Sequence, residues 1–228
     1  MATRLNAVRQ QIAAAACASG RRPEEITLIG VSKFFPAAAA LAASRSGLHD
    51  LGENRVQEML GKINDLSAAG VSPRWHLIGT LQKNKVRQII GLTHLIHSAD
   101  SWPLLQEIDR RSLERGLVSD VLLQVNASGE TTKHGFAPEE LAPAAAAARP
   151  LKGLRLRGLM TMAPLFDNPD DTRPVFAAAH QLFDRLAGEQ DPDVFNILSM
   201  GMSHDFRQAI ACGATHVRIG TAIFGPRL

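Results

Sequence analysis

The chain has no tyrosine, two tryptophans and two cysteines in its 228 residues. Cys17 and Cys212 lie far apart and show no metal-ligand spacing, which argues against a disulfide scaffold and fits free thiols in a reducing compartment. No apolar run approaches membrane-spanning length, so no membrane association is expected. Clustered charge is also missing. Twenty-five basic and 22 acidic residues give a formal net charge of +3, and their scatter offers nucleic acid no basic patch. No linker rich in Pro, Gly or Ser divides the chain, and the alanine tracts at 37–40 and 144–148 read as helix formers. One domain spanning residues 1–228 is expected, with a hydrophobic content of 45% that can fill a sizeable core.

The stretch QQIAAAACASG superficially resembles a short signal core. It is brief, and RRPEE follows it directly. Leu5, Val8 and Ile12 recur at helical spacing, so an amphipathic helix over roughly residues 2–18 and a cytoplasmic protein are expected instead.

Strand-like and helix-like stretches alternate from end to end. The strand candidates are 26–33, 49–54, 74–79, 94–99, 120–126, 155–163, 195–201 and 215–221. Helical stretches fall between them at 36–46, 54–69, 81–91, 102–115, 137–148, 171–188 and 203–212. Strict alternation implies parallel strands joined by right-handed crossovers. Eight such units point to an α/β, single-domain (β/α)8 TIM barrel, with a doubly wound sheet as the alternative. Seven residues follow Thr221, so no helix is expected after the last strand, and the N-terminal helix would complete the outer ring.

In such a barrel the chemistry gathers at the C-terminal ends of the strands. Lys33 ends the first candidate strand, in LIGVSKFFP, and by alternation shares a face with Val31, Ile29 and Thr27. An amine on an interior face is partly desolvated, which favours its neutral, nucleophilic form; on the strand alone, a lysine snorkelling to solvent is the plainer reading. SMGMS, ending the seventh strand, offers hydroxyls and amides before a helix expected to begin near Ser203. RIGT, ending the eighth, adds Gly220 and the Thr221 hydroxyl. Phosphate is favoured at such a place. Arg218 can donate to a ring nitrogen but cannot accept its proton. Asn54 reads as a helix cap and His76 as a core or ring-stacking histidine. QKNK, 82–85, reads as a helix start with solvated lysines, and Lys133 in KHG as a solvated loop residue. His94 and His97 in HLIH would face opposite sides of a strand, and no metal site is expected. A lysine amine, a phosphate cradle and a ring-nitrogen donor together describe pyridoxal 5′-phosphate (PLP).

VSK, GENRVQE, WHLIGTLQKNK, VNASGETTKHGF, GLMTMAP, LSMGMSHDF and VRIGTAIFG follow one another along nearly the whole chain. In these segments the sequence resembles the YggS/PROSC family of pyridoxal phosphate homeostasis proteins. The resemblance implies a fold-type III PLP-binding barrel similar to the N-terminal domain of alanine racemase. Lys33 would form the internal aldimine (a Schiff base), and Arg218 would face the pyridine nitrogen. Ser203, Gly220 and Thr221 would hold the phosphate, Asn54 and His76 would lie near the ring, and Met202 would give a backbone contact. The chain departs from the family at FFP, 34–36, where many relatives carry a TKP-like stretch, and at Thr80, where many carry histidine.

The resemblance further implies an intracellular, vitamin B6-related PLP carrier, monomeric, with PLP-dependent apoenzymes as candidate recipients. The alternative is a PLP-dependent amino-acid racemase. Alanine racemases use a tyrosine from another domain as their second base, and this chain has neither tyrosine nor residues for that domain. His204 and Asp205 are the nearby substitutes, and the reading does not favour them. A third reading is a barrel that binds a phosphorylated sugar without an aldimine.

Overall fold

The computed structural model describes residues 1–127 and 134–226. Eight parallel strands follow the chain order: β1 (Thr27–Val31), β2 (Asp50–Glu53), β3 (Arg74–Leu77), β4 (Leu95–Ala99), β5 (Ser119–Gln124), β6 (Leu154–Met160), β7 (Ile197–Ser199) and β8 (His216–Ile219). β1 pairs with both β2 and β8, so the sheet closes into a barrel and the doubly wound alternative falls.

The helices are α1 (Ala2–Ala18), α2 (Ala37–Arg45), α3 (Val56–Ala68), α4 (Val86–Ile89), α5 (Trp102–Leu113), α6 (Leu141–Ala148), α7 (Arg173–Ala187), α8 (Phe206–Ala211) and α9 (Thr221–Phe224). α1 buries Leu5, Val8, Ile12 and Ala16, one stripe at helical spacing, against α8 and α9. It completes the outer ring. α7 repeats the pattern with Phe176, Ala179, Leu182 and Leu186.

Three boundaries differ from the sequence reading. The stretch 81–91 makes a 3-10 turn at Lys83–Lys85 and then the single turn of α4, before Gly91 at φ 78° ends it. The helix expected from Ser203 starts at Phe206. A helix does follow the last strand: α9 fills one turn before Gly225, at φ 98°, stops it.

Most buried apolar side chains lie in one cluster that includes the helices' inner faces. A smaller cluster joins Leu95, Leu122, Met160 and Ile197. These alternate in register with polar groups, Leu95 beside His76 and Met160 beside Ser199. Asp50, His76, His97, Ser199 and Arg218 are all buried. The barrel interior is therefore part apolar and part a polar column, and the column leads to the site.

Candidate functional site

β1 stops at Val31, so Lys33 is not the last strand residue that the alternation suggested; it stands in the turn just beyond. The ladder still grips Ser32, whose amide donates to the Gly52 carbonyl at 3.1 Å. A buried network then fixes the turn. Lys62 Nζ on α3 donates to the Ser32 carbonyl (2.7 Å), to Glu53 Oε1 (2.6 Å) and to Glu58 Oε1 (2.8 Å). Ser32 Oγ donates to the same Glu53 oxygen at 2.6 Å. The Phe34 amide donates to Glu58 Oε1 at 2.7 Å. Burial pushes the Glu53 carboxyl up, while the ammonium and the hydroxyl pull it down. Phe34 has φ 68°, a left-handed conformation that costs a non-glycine residue about 1 kcal/mol or more. The Glu58 contact helps hold it there. The FFP segment is thus anchored at both rings: Arg55 lies 5.8 Å over Phe34, and Phe35 stacks on Phe224 at 5.3 Å.

Across the barrel mouth, β7 and β8 deliver the second group. The Gly220 amide donates to Ser203 Oγ at 3.2 Å, tying the two loops together. A Cβ at Gly220 would sit 3.2 Å from the Val31 carbonyl oxygen, so only glycine leaves the end of β8 this close to β1 without displacement. Ser203 precedes α8 rather than starting it. Asp205 takes the cap position, and its Oδ1 accepts the Met202 amide at 2.6 Å. That bond engages the Met202 amide within its own loop. Thr221 opens α9.

A cavity of about 890 Å³ lies at the C-terminal ends of the strands, where Lys33, Asn54, Met202, Ser203, Arg218, Gly220 and Thr221 all line it. Asn54 is not the helix cap; Arg55 holds that position, and Gly79 lies so close to the Asn54 backbone that a side chain there would collide. His204 also lines the cavity, its Nε2 3.1 Å from the Phe166 carbonyl. Sequence reasoning missed Gln124 and Met162, and it named Thr80 only as a departure from the family. All three line the cavity. For Gln124 a signal existed: it is a polar residue directly after the apolar run Val121, Leu122, Leu123. Lys133 lies outside the described residues.

Arg218 is 4% exposed. Its Nη1 donates to Ser199 Oγ (2.6 Å) and its Nη2 to the Thr161 carbonyl (2.9 Å). Burial draws the guanidinium down to about 10, with the Asp205 carboxylate opposing, so it stays protonated at neutral pH. Its remaining N–H groups are donors for the cavity that it lines.

His76 is a correction. It does not line the cavity; it sits lower in the barrel, in register with Gly52 and Leu95. Its Nε2 lies 2.9 Å from Asp50 Oδ1 and its Nδ1 3.0 Å from His97 Nε2. The HLIH residues do not diverge as alternation suggested. His94 precedes β4, and both rings stand edge-on to His76, at 5.4 Å and 5.2 Å. Among the described residues no three His, Cys, Asp or Glu side chains form a metal-ligand set. No helix among them is long and apolar enough to cross a membrane.

The site therefore brings together a lysine on a fixed turn, a hydroxyl-and-amide corner and a protonated guanidinium. That donor set suits an anionic, aromatic, carbonyl-bearing ligand.

The family model described as "Alanine racemase, N-terminal domain" matches residues 5–227. A pyridoxal phosphate homeostasis protein of Pseudomonas aeruginosa is 44% identical, covering 96% of this chain and 93% of its own. One from Escherichia coli is 42% identical, covering 100% of this chain and 97% of its own. Among solved structures, PipY of Synechococcus elongatus without PLP superposes with a TM-score of 0.88 at 37% identity, covering 99% of this chain and 100% of its own. PipY with PLP bound gives 0.81 at 37% identity, covering 94% and 100%. The alanine racemase of Corynebacterium glutamicum shares the fold, with a TM-score of 0.70 at 15% identity, covering 96% of this chain and 60% of its own.

Proposed function

The chain belongs to the family of the alanine racemase N-terminal domain, and on that premise we propose that it binds pyridoxal 5′-phosphate in the mouth cavity and acts in PLP homeostasis. One observation carries the reading: Lys33, Arg218 and the Ser203–Gly220–Thr221 corner line a single cavity. The chemistry of this donor set fits the cofactor. Bound there, PLP supplies a reactive aldehyde. Lys33 Nζ is the amine that would react with it. Ser203 Oγ and Thr221 would hold the phosphate at the corner that Gly220 shapes, with Asn54 beside the ring.

Arg218 would donate toward the pyridine nitrogen. A guanidinium that remains charged at neutral pH cannot accept that nitrogen's proton in exchange, so the nitrogen would stay unprotonated and the ring would withdraw electrons weakly. That favours holding the cofactor over accelerating chemistry on it. The rim supports a carrier as well. Leu165, at the cavity, is 88% exposed, and Phe34 beside Lys33 is also exposed, an apolar edge suited to contact with PLP-dependent apoenzymes. The working form in this reading is a cytoplasmic monomer, which native mass spectrometry of purified protein tests.

Borohydride reduction of the PLP-loaded protein, followed by peptide mapping, tests the core of the proposal. A pyridoxyl group on Lys33, absent from Lys33→Ala, is the expected result. A label on another lysine, or none, refutes it.

A further inference from the structure

Arg218 is a buried cation that makes no ion pair with a carboxylate among the described residues. It instead begins an unbroken series of hydrogen bonds running down the barrel. Nη1 reaches Ser199 Oγ at 2.6 Å, Ser199 Oγ lies 3.0 Å from His97 Nδ1, and His97 Nε2 lies 3.0 Å from His76 Nδ1. His76 Nε2 then meets Asp50 Oδ1 at 2.9 Å, and Asp50 accepts Arg74 from the opposite mouth at 2.7 and 2.6 Å. All the links between Arg218 and Asp50 are buried side chains.

Donor and acceptor counting assigns every proton in this series. Two hydrogen bonds from Arg74 and one from His76 hold Asp50 as a carboxylate, which can only accept. His76 Nε2 must therefore carry a hydrogen. A neutral His76 leaves Nδ1 bare, so His97 donates to it from Nε2. His97 Nδ1 is then bare and accepts the Ser199 hydroxyl hydrogen, and Ser199 Oγ is left to accept from Arg218. Ser199, His97 and His76 each donate once and accept once, all pointing from the cation to the anion. Burial agrees, holding both histidines below their ordinary value, His97 well below. A charged His76 would reverse the links from His76 to His97 and from His97 to Ser199, turn two donors onto Ser199 Oγ and leave the hydroxyl hydrogen without its acceptor.

We propose that Ser199, His97, His76 and Asp50 form one polarised chain that holds the Arg218 guanidinium in place for the cofactor ring. His97 and His76 act in it as positioning residues, both neutral and protonated on Nε2. The first half rests on the reading of the cavity as a PLP site; the assignment of the protons does not. Aligned dipoles strengthen one another in a low-dielectric interior, so the chain links the cavity to a counter-charge at the far end of the barrel.

The test has two arms. In the protein without PLP, nitrogen-15 NMR of the histidine rings reads the tautomers directly. Nε2–H forms at His76 and His97 are expected, and an Nδ1–H or doubly protonated ring at either overturns the chain. In the second arm PLP is titrated into wild type, His97→Gln, His97→Phe and Ser199→Ala. Glutamine can accept through Oε1 and donate through Nε2, so it keeps PLP affinity within about threefold of wild type and retains the wild-type absorbance of the bound cofactor. Phenylalanine keeps the ring volume and loses both bonds. About a tenfold loss and a shifted absorbance are expected, and Ser199→Ala behaves alike. Equal affinity across the variants, or equal losses for glutamine and phenylalanine, overturns the positioning role. Should His97→Phe fail to fold, Ser199→Ala decides. Wild type that binds no PLP refutes the cavity reading alone, and the tautomers still decide the chain.

Discussion

The two mouths of the barrel treat charge in opposite ways. At the N-terminal end, charged groups close on one another. Asp50 takes both arms of Arg74, Asp120 takes Arg155 and Arg157, and Arg21 donates to the Ala214 carbonyl. A smaller cavity, about 410 Å³, remains among them. At the C-terminal end the polar groups surround about 890 Å³, and the pairing retreats behind the wall, where Lys62, Glu53 and Glu58 brace the lysine turn from α3. One end is held by partly exposed pairs at its surface, the other by a buried pair that leaves the surface to a ligand. The difference predicts where the molecule is fragile.

The largest effect is expected at the buried pair. Lys62→Met leaves Glu53 enclosed without its cation and should cost about 3–5 kcal/mol in urea unfolding, with PLP retention lost alongside. A cost below about 1 kcal/mol would remove the contrast between the two ends.

Acid probes the column between them. His76 and His97 are held neutral when folded, below the ordinary 6.5, whereas the unfolded chain binds protons there. Stability should therefore fall as pH drops below about 6.5, by up to about 1.4 kcal/mol per pH unit for each histidine until its native pKa is passed. Denaturation midpoints at pH 7, 6 and 5 measure this, and His97→Gln should flatten the slope. An unchanged midpoint across that range would mean that the column is already charged.

At the cavity itself, Ser203→Ala removes one hydroxyl from the anion corner and the acceptor of the Gly220 amide. About tenfold weaker PLP binding is expected by absorbance titration, equivalent to about 1.4 kcal/mol. The smallest effect belongs to the far end. Arg155→Ala leaves Asp120 still paired with Arg157 and should cost about 0.5 kcal/mol or less, with PLP affinity unmoved.

The alternation of apolar runs and helical stretches carried the barrel, because parallel strands buried on both faces have little other reading. Strand ends were less legible. The apolar run through Val31 continues smoothly into Ser32 and Lys33, and only the ladder to Gly52 and the hold of Lys62 show where the chain departs. His76 illustrates a different limit. Alternation assigns a residue to a face but not to a height, and His76 faces inward below Ile78 and Gly79, the residues of that segment that reach the cavity. The brace was visible in principle. Lys62 interrupts the stripe Val56, Met59, Leu66 at helical spacing, and a lysine inside an apolar stripe requires a buried partner. Nothing local in the sequence assigned that partner to Glu53 on the neighbouring strand.

Closure through β1 and β8 also limits how another protein can approach. Each strand has a neighbour on both sides, so the sheet presents no open flank on which an incoming peptide could lie down as an additional strand. If the proposed carrier role holds, a recipient would have to be recognised through side chains around the ring of loops at the cavity mouth.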